Sequence, residues 1–204
     1  MNKTFQTIGV CGLNASGKSS LCSFYKAKGY QVISLSDVIR RVLKERNQPE
    51  SRQLLIDTGN ELRHKHGSGA LAKMIIPTLD INKNYVIDSI RHPEEVRELR
   101  NGISLRNGLF CLVAVKASTQ IRYNRLVSRA REGDVLSYDR FLETDKLESN
   151  NPDPQGQQIA SVIAMADITV DNDYQDIQKF NNIITTETSI KIDHFLGDTK
   201  QLEE

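Results

Sequence analysis

GLNASGKSS, from Gly12 to Ser20, fits the pattern G-x-x-x-x-G-K-[ST] with Gly12, Gly17, Lys18 and Ser19 at its fixed places. At average residue usage, a chain of this length matches that pattern by chance about one time in a hundred. The flanks agree with it. FQTIGVC (Phe5–Cys11) predicts a short buried strand, and Lys18–Lys28 predicts a helix stopped by Gly29. A strand, a glycine loop and a helix in that order make a phosphate cradle. Gly12 and Gly17 let the backbone turn its N–H groups inward, and the helix N-terminus adds partial positive charge. Lys18 has the reach for β- and γ-phosphates, and the Ser19 hydroxyl can ligate Mg²⁺. The candidate ATP-binding loop is therefore Gly12, Asn14, Ala15, Ser16, Gly17, Lys18, Ser19 and Ser20. Ser20 lies in the first helical turn, where its hydroxyl is given no chemistry.

Outward from the loop, strand candidates alternate with helices. YQVIS (Tyr30–Ser34), YVID (Tyr85–Asp88), LFCLVAV (Leu109–Val115) and DITVD (Asp167–Asp171) follow the first strand. Most are continuously apolar, as strands covered on both faces are. The expectation is an α/β fold, a doubly wound five-stranded parallel sheet. The intervals are unequal. About fifty residues separate Ser34 from Tyr85, far more than one crossover helix needs. They predict three helices, Asp37–Arg46, Ser51–His66 and Ala70–Asp80, and so an inserted lobe over about residues 37–82. A second, charge-dense insert runs over about residues 128–158; Arg122, Arg125, Arg129 and Arg131 crowd one region at its start, Arg140 follows, and Asn150–Gln157 reads as loop.

Composition narrows the partners. A net charge of +1 makes no electrostatic case for nucleic acid or a membrane surface. Cys11, Cys22 and Cys111 have neither zinc spacing nor a disulfide framework, so the simplest setting is reducing and cytoplasmic. The start, MNKTFQTIGVCG, has no long apolar run and leads directly into the first strand. His92-Pro93-Glu94 matches the H-x-E of zinc deaminases, but the chain has no C-x-x-C, which makes the match accidental.

With these pieces in order, the chain resembles the nucleoside monophosphate kinase group of P-loop kinases. ISLSDVIR (Ile33–Arg40) resembles the segment that opens the monophosphate-binding lobe of adenylate kinases. VIDSIRHPEEV (Val86–Val96) resembles their strand-end D-G-x-P-R segment, and RLVSRAR (Arg125–Arg131) the arginine-rich start of their lid. Ser36 and Ser89 stand where those enzymes have glycine, and Ile90 where they have proline. ADITVDN (Ala166–Asn172) is similar to the last strand of dephospho-CoA kinases. The whole order looks most like dephospho-CoA-kinase-like nucleotide kinases, and also like the kinase-like N-terminal part of some two-domain deoxycytidylate deaminases. It covers roughly residues 5–175, within an expected kinase domain over residues 1–182.

The resemblance implies roles. Arg40 and Arg91 would hold the acceptor phosphate, Arg129 and Arg131 would close on ATP from the lid, and Arg63 would contact the acceptor. Guanidinium suits each task because it grips phosphate bidentately, while a solvated helix face is the alternative. Asp88 ends a strand beside the loop and would hold Mg²⁺ with Ser19, or else cap the helix entering Pro93. Asp37 either orients the attacking group or caps the helix after it. Asn172 either meets the adenine edge or is ordinary strand-end polarity. Residues 183–204 form a C-terminal extension, in which IKIDHFL (Ile190–Leu196) could pack. Catalysis is expected from Lys18, Asp88, Arg91 and Arg129, with ATP and Mg²⁺ as cofactors and a small nucleotide-like acceptor as partner. The other readings are a nucleotide-binding regulatory module and a partner-driven ATPase.

Overall fold

The computed structural model describes residues 4–129 and 137–198, so Arg131 and the early part of the expected lid, residues 130–136, lie outside the described residues. Strands β1 (Gln6–Cys11), β2 (Gln31–Ser34), β3 (Tyr85–Asp88), β4 (Leu109–Lys116) and β5 (Ile168–Asp171) form one sheet in the order β2-β3-β1-β4-β5. Every neighbouring pair is parallel, and each expected strand is present within one residue of its bounds. The continuous apolar runs follow from cover on both faces. On one face Ile8, Val10, Val113 and Val115 pack on Leu21 and Tyr25 of helix α1 (Lys18–Ala27). On the other, Leu112 and Ala114 pack with α2 (Ser36–Glu45), α4 (Ala70–Ile75) and α5 (Pro93–Ser104). Each fully buried Val, Leu or Ile contributes about 1.5–3 kcal/mol relative to exposure.

The first insert is helical as expected: α2, then α3 (Arg52–His66), then α4. Ser51 caps α3 by accepting from the Leu54 N–H, and Gly67 at φ +89 ends it. The third helix stops short of Asp80. It tightens into a 3₁₀ turn at Ile76–Thr78, because Pro77 has no N–H and crowds the preceding turn. Among the described residues of the second insert is α7 (Tyr138–Ser149); α6 (Thr119–Arg129) leads into the insert and α8 (Ile159–Ala164) follows it. Helix α7 is pinned to α6 by a bidentate pair between Arg122, 2% exposed, and Asp145.

After β5 come α9 (Ile177–Ile183), one π-helical turn (Ile184–Thr188) and α10 (Ser189–Asp198). Ile184, Ile192 and Leu196 are buried in the same cluster as β1 and α1. The expected boundary at residue 182 falls inside α9, and beyond it Ile184, Ile192 and Leu196 pack into the core. Winding reverses beside β1, which places the crevice outside the carboxyl ends of β1 and β3, where the glycine loop and Asp88 lie.

Candidate active site

The loop after β1 has the backbone that its glycines permit. Gly12 sits at φ +139 and Gly17 at φ +108; a Cβ on Gly17 would come within 2.1 Å of Asn172 Nδ2. Gly17 is also the N-cap of α1 and makes no side-chain cap, so the first N–H groups of the helix stay available to an anion. Lys18 Nζ donates to the carbonyls of Gly12 and Leu13, 2.9 Å from each. Burial draws its pKa below the ordinary 10.5, with the Asp88 charge opposing that shift. An ammonium desolvated in this way gains most from an anion placed beside it.

Behind the loop lie supports that the sequence reading missed. Arg125 Nη1 donates to Ala15 O and Ser16 O, and its Nη2 to Asn172 O, Asn172 Oδ1 and Tyr174 O. Asn172, 3% exposed, donates from Nδ2 to Ser16 O at 2.8 Å. This corrects its expected place at an adenine edge, since its amide is spent on the loop and on Arg125. Arg129, also on α6, donates to Asn14 Oδ1 at 3.2 Å and lines the main cavity. Arg125 stands one helical turn before Arg129, so the arginine spacing on α6 was the signal available for it.

The residues expected to hold Mg²⁺ fit a hard cation. Asp88 Oδ1 is buried without a hydrogen-bond partner, and Ser19 lines the same cavity. Ser16 Oγ, inside the loop, is likewise unpartnered. Asp88 is not the cap of α5. His92 is, accepting at Nδ1 from the Glu94 N–H while its Nε2 bonds Pro154 O at 2.9 Å. Both ring nitrogens of His92 are thereby engaged in structural hydrogen bonds. After Asp88, Ser89 holds φ +65, the left-handed conformation that glycine adopts freely, and its hydroxyl is bonded by Ser34 Oγ at 2.9 Å. Serine here keeps the backbone turn at some strain.

One cavity of about 530 Å³ runs from Gly17 and Lys18 to Arg40, Arg63 and Arg91 in and beside the inserted lobe. Ile39, Leu55, Ile56, Leu71 and Ile90 line its wall. The guanidiniums are held rather than loose. Arg40 bonds Glu50 at 2.7 Å and Asp37 at 2.9 Å; Arg91 bonds Gln157 at 2.9 Å. Arg63, 2% exposed, pairs with the buried Glu95. Asp37 is exposed and does not line the cavity; its Oδ2 accepts from Ser34 N–H while Oδ1 holds Arg40. Leu35, not Asp37, is the N-cap of α2, so neither expected role of Asp37 matches its place. A second groove of about 490 Å³ lies between α1 and α9, lined by Ser19, Ser20, Ser23, Phe24, Ile177 and Asn181 among others. Ser20 faces that groove and not the main cavity, whereas Ser19 lines both. Among the described residues there is no cluster of His, Cys, Asp and Glu suited to a metal, and no helix is long and apolar enough to cross a membrane.

Comparison with known proteins agrees with this geometry. The AAA domain family matches residues 8–144. A UPF0200 protein of Sulfurisphaera tokodaii is 30% identical over 168 residues, 81% of this chain and 86% of that protein. A UPF0200 protein of Pyrococcus abyssi is 32% identical over 177 residues, 85% and 90% of the two chains. Among solved structures, a gluconokinase from Sinorhizobium meliloti superposes with a TM-score of 0.55 at 18% identity, covering 99% of this chain and 100% of its own. A candidate kinase from Chloroflexus aurantiacus gives a TM-score of 0.56 at 15% identity, covering 92% and 97%. At those identities the likeness shows a shared P-loop kinase fold and nothing of the substrate.

Proposed function

The chain belongs to the AAA domain family and is one of the UPF0200 proteins, and we propose that it is a kinase that moves the γ-phosphoryl of ATP to a nucleoside monophosphate or related nucleotide-like acceptor. One observation carries the reading: the cavity that begins at the phosphate loop continues without a break to Arg40 and Arg91. An ATPase needs room for a water molecule; a second chamber lined by arginines suits a second anionic substrate. The apolar side chains on the wall favour a flat base over a polyhydroxylated sugar acid.

In this reading the loop N–H groups and Lys18 hold the β- and γ-phosphates and stabilise the charge that develops on the transferring group. Ser19 and Asp88 would hold Mg²⁺, which would supply further neutralisation of the phosphate oxygens. The donor's nucleoside lies along the groove between α1 and α9, on the far side of Ser19 from the acceptor. Arg91 and Arg40 position the acceptor phosphate, with Arg40 exchanging its carboxylate partners for it. Arg129 brings the second insert onto the loop through Asn14 and so helps exclude water. A phosphate nucleophile is already ionised, which is consistent with Asp37 standing outside the cavity. The test is a transfer assay with γ-labelled ATP against ribo- and deoxynucleoside monophosphates, dephospho-CoA and gluconate. Label passing to a nucleotide supports the reading. ATP binding with no transfer to any acceptor points to a regulatory module, and label released only as free phosphate on adding a protein partner points to an ATPase. Transfer to gluconate alone would replace the acceptor class.

A further inference from the structure

The geometry points to Glu95 as the positioning residue for the acceptor's anion, an assignment that rests on the acceptor site proposed above. Glu95 is 0% exposed, on the first turn of α5. Its Oε1 accepts from Arg63 Nε at 3.1 Å and Nη2 at 2.9 Å. Its Oε2 accepts from the backbone N–H of Arg91 at 2.8 Å and of His92 at 3.1 Å. Helix capping accounts for only part of this. Of the glutamate at the third helical position a capping box requires one bond, accepted by its carboxylate from the N-cap N–H, here that of His92. The bond to Arg91 N–H lies one residue further out, on the segment that carries the cavity guanidinium. The bonds from Arg63 reach across from α3, the longest helix of the inserted lobe.

One buried carboxylate therefore registers the strand-end segment of Arg91 against the acceptor lobe. Burying a charge costs stability unless it is paired and hydrogen-bonded, and both Glu95 oxygens meet that condition here. The pairing also sets the role of Arg63. Its guanidinium lines the cavity, but its Nε and one terminal nitrogen are committed to Glu95, so the charge it presents to a ligand is already balanced. Arg63 braces Glu95, Glu95 fixes the Arg91 backbone, and the Arg91 side chain meets the anion. Gln157 holds that side chain from the opposite side, and the Gln158 N–H bonds the Arg91 carbonyl at 2.8 Å.

Two probes separate the sites: a non-hydrolysable ATP analogue, which fills only the donor side, and a dinucleoside pentaphosphate, which spans donor and acceptor. Calorimetric titration with Mg²⁺ compares wild type, Glu95→Gln and the paired variant Arg63→Met/Glu95→Gln. In Glu95→Gln the amide must turn donors toward either Arg63 or the backbone N–H groups, so one side is lost. The pentaphosphate should weaken roughly tenfold, with the ATP analogue changed less than about twofold. In the paired variant the glutamine oxygen is free to face the N–H groups of Arg91 and His92, and pentaphosphate affinity should return to within about threefold of wild type. Recovery is the signature of positioning, since removing a side chain that itself grips the anion restores nothing. If Glu95→Gln does not fold, the paired variant against wild type carries the test, and a roughly tenfold loss there overturns the proposal. Equal weakening of both probes in Glu95→Gln, or no weakening of either, also overturns it while leaving the kinase reading intact. A wild type that binds the pentaphosphate no better than the ATP analogue removes the acceptor site itself, and this inference with it.

Discussion

Asn172→Ala distinguishes a residue that supports the phosphate loop from one that reads adenine. In the structure the substitution removes the bond from Asn172 Nδ2 to Ser16 O at 2.8 Å and the bond it accepts from Arg125 at 3.0 Å. A buried polar group left without its partner costs about 1–3 kcal/mol. Both losses here fall at the low end. Ser16 O retains Arg125 Nη1 at 3.3 Å, and Arg125 retains the carbonyls of Ala15, Ser16, Tyr174 and residue 172 itself. The expected total is about 2 kcal/mol. For a domain of this size each kcal/mol moves Tm by about 2–4 °C, so thermal unfolding of the free protein should drop by about 4–8 °C. Because the loop is common to all purine nucleotides, affinities for ADP and GDP should fall together in parallel titrations. A Tm within about 1 °C of wild type, with ADP weakened and GDP untouched, would refute the reasoning and return Asn172 to the base.

Other outcomes follow from the same geometry. Lys18→Ala should reduce kcat by a factor on the order of a hundred or more while the circular dichroism spectrum is unchanged, because the Lys18 bonds in the structure go to two loop carbonyls. Leu196→Ala, which empties a fully buried site on α10, should cost about 2–5 kcal/mol in urea unfolding; a tail merely trailing from the domain would show no change. Burial raises the thiols of Cys11, Cys22 and Cys111 from 9.0 to about 12. Above pH 9.0 the unfolded chain therefore binds fewer protons than the folded one. Stability should fall as pH rises from 9.0 toward 12, by up to about 1.4 kcal/mol per pH unit for each thiol, as read by urea unfolding across that range. Cys111→Ala should flatten that slope.

What could be read from the sequence was local. The glycine loop, the apolar strands and the three-helix insert each carry their signal in consecutive residues, and all are present in the structure. Pro77 shortened one helix by a rule that applies at a single residue. The site was harder because its residues take their roles from distant partners. Arg63 sits in a polar run, ELRHKH, that reads as a solvated helix face, yet its partner Glu95 buries it. Asn172 was placed on the right strand end, but which neighbour its amide would meet was decided by Ser16 and Arg125. Asp37 fits a group that orients the attacking nucleophile by its place in the sequence, and its carboxylate is taken by the Ser34 N–H and Arg40. Ser89 looks like a departure from the adenylate kinase pattern, and only its φ of +65 shows that the turn is kept.

The central claim is that the phosphate loop and the inserted lobe form one site for transfer. The most direct measurement is the partition of γ-label in a single turnover of wild-type protein, with the best nucleotide acceptor at saturation. Label recovered on the acceptor in large excess over free phosphate, with both products lost in Lys18→Ala, is the predicted result. Label recovered only as free phosphate, at a rate indifferent to any acceptor, would contradict it.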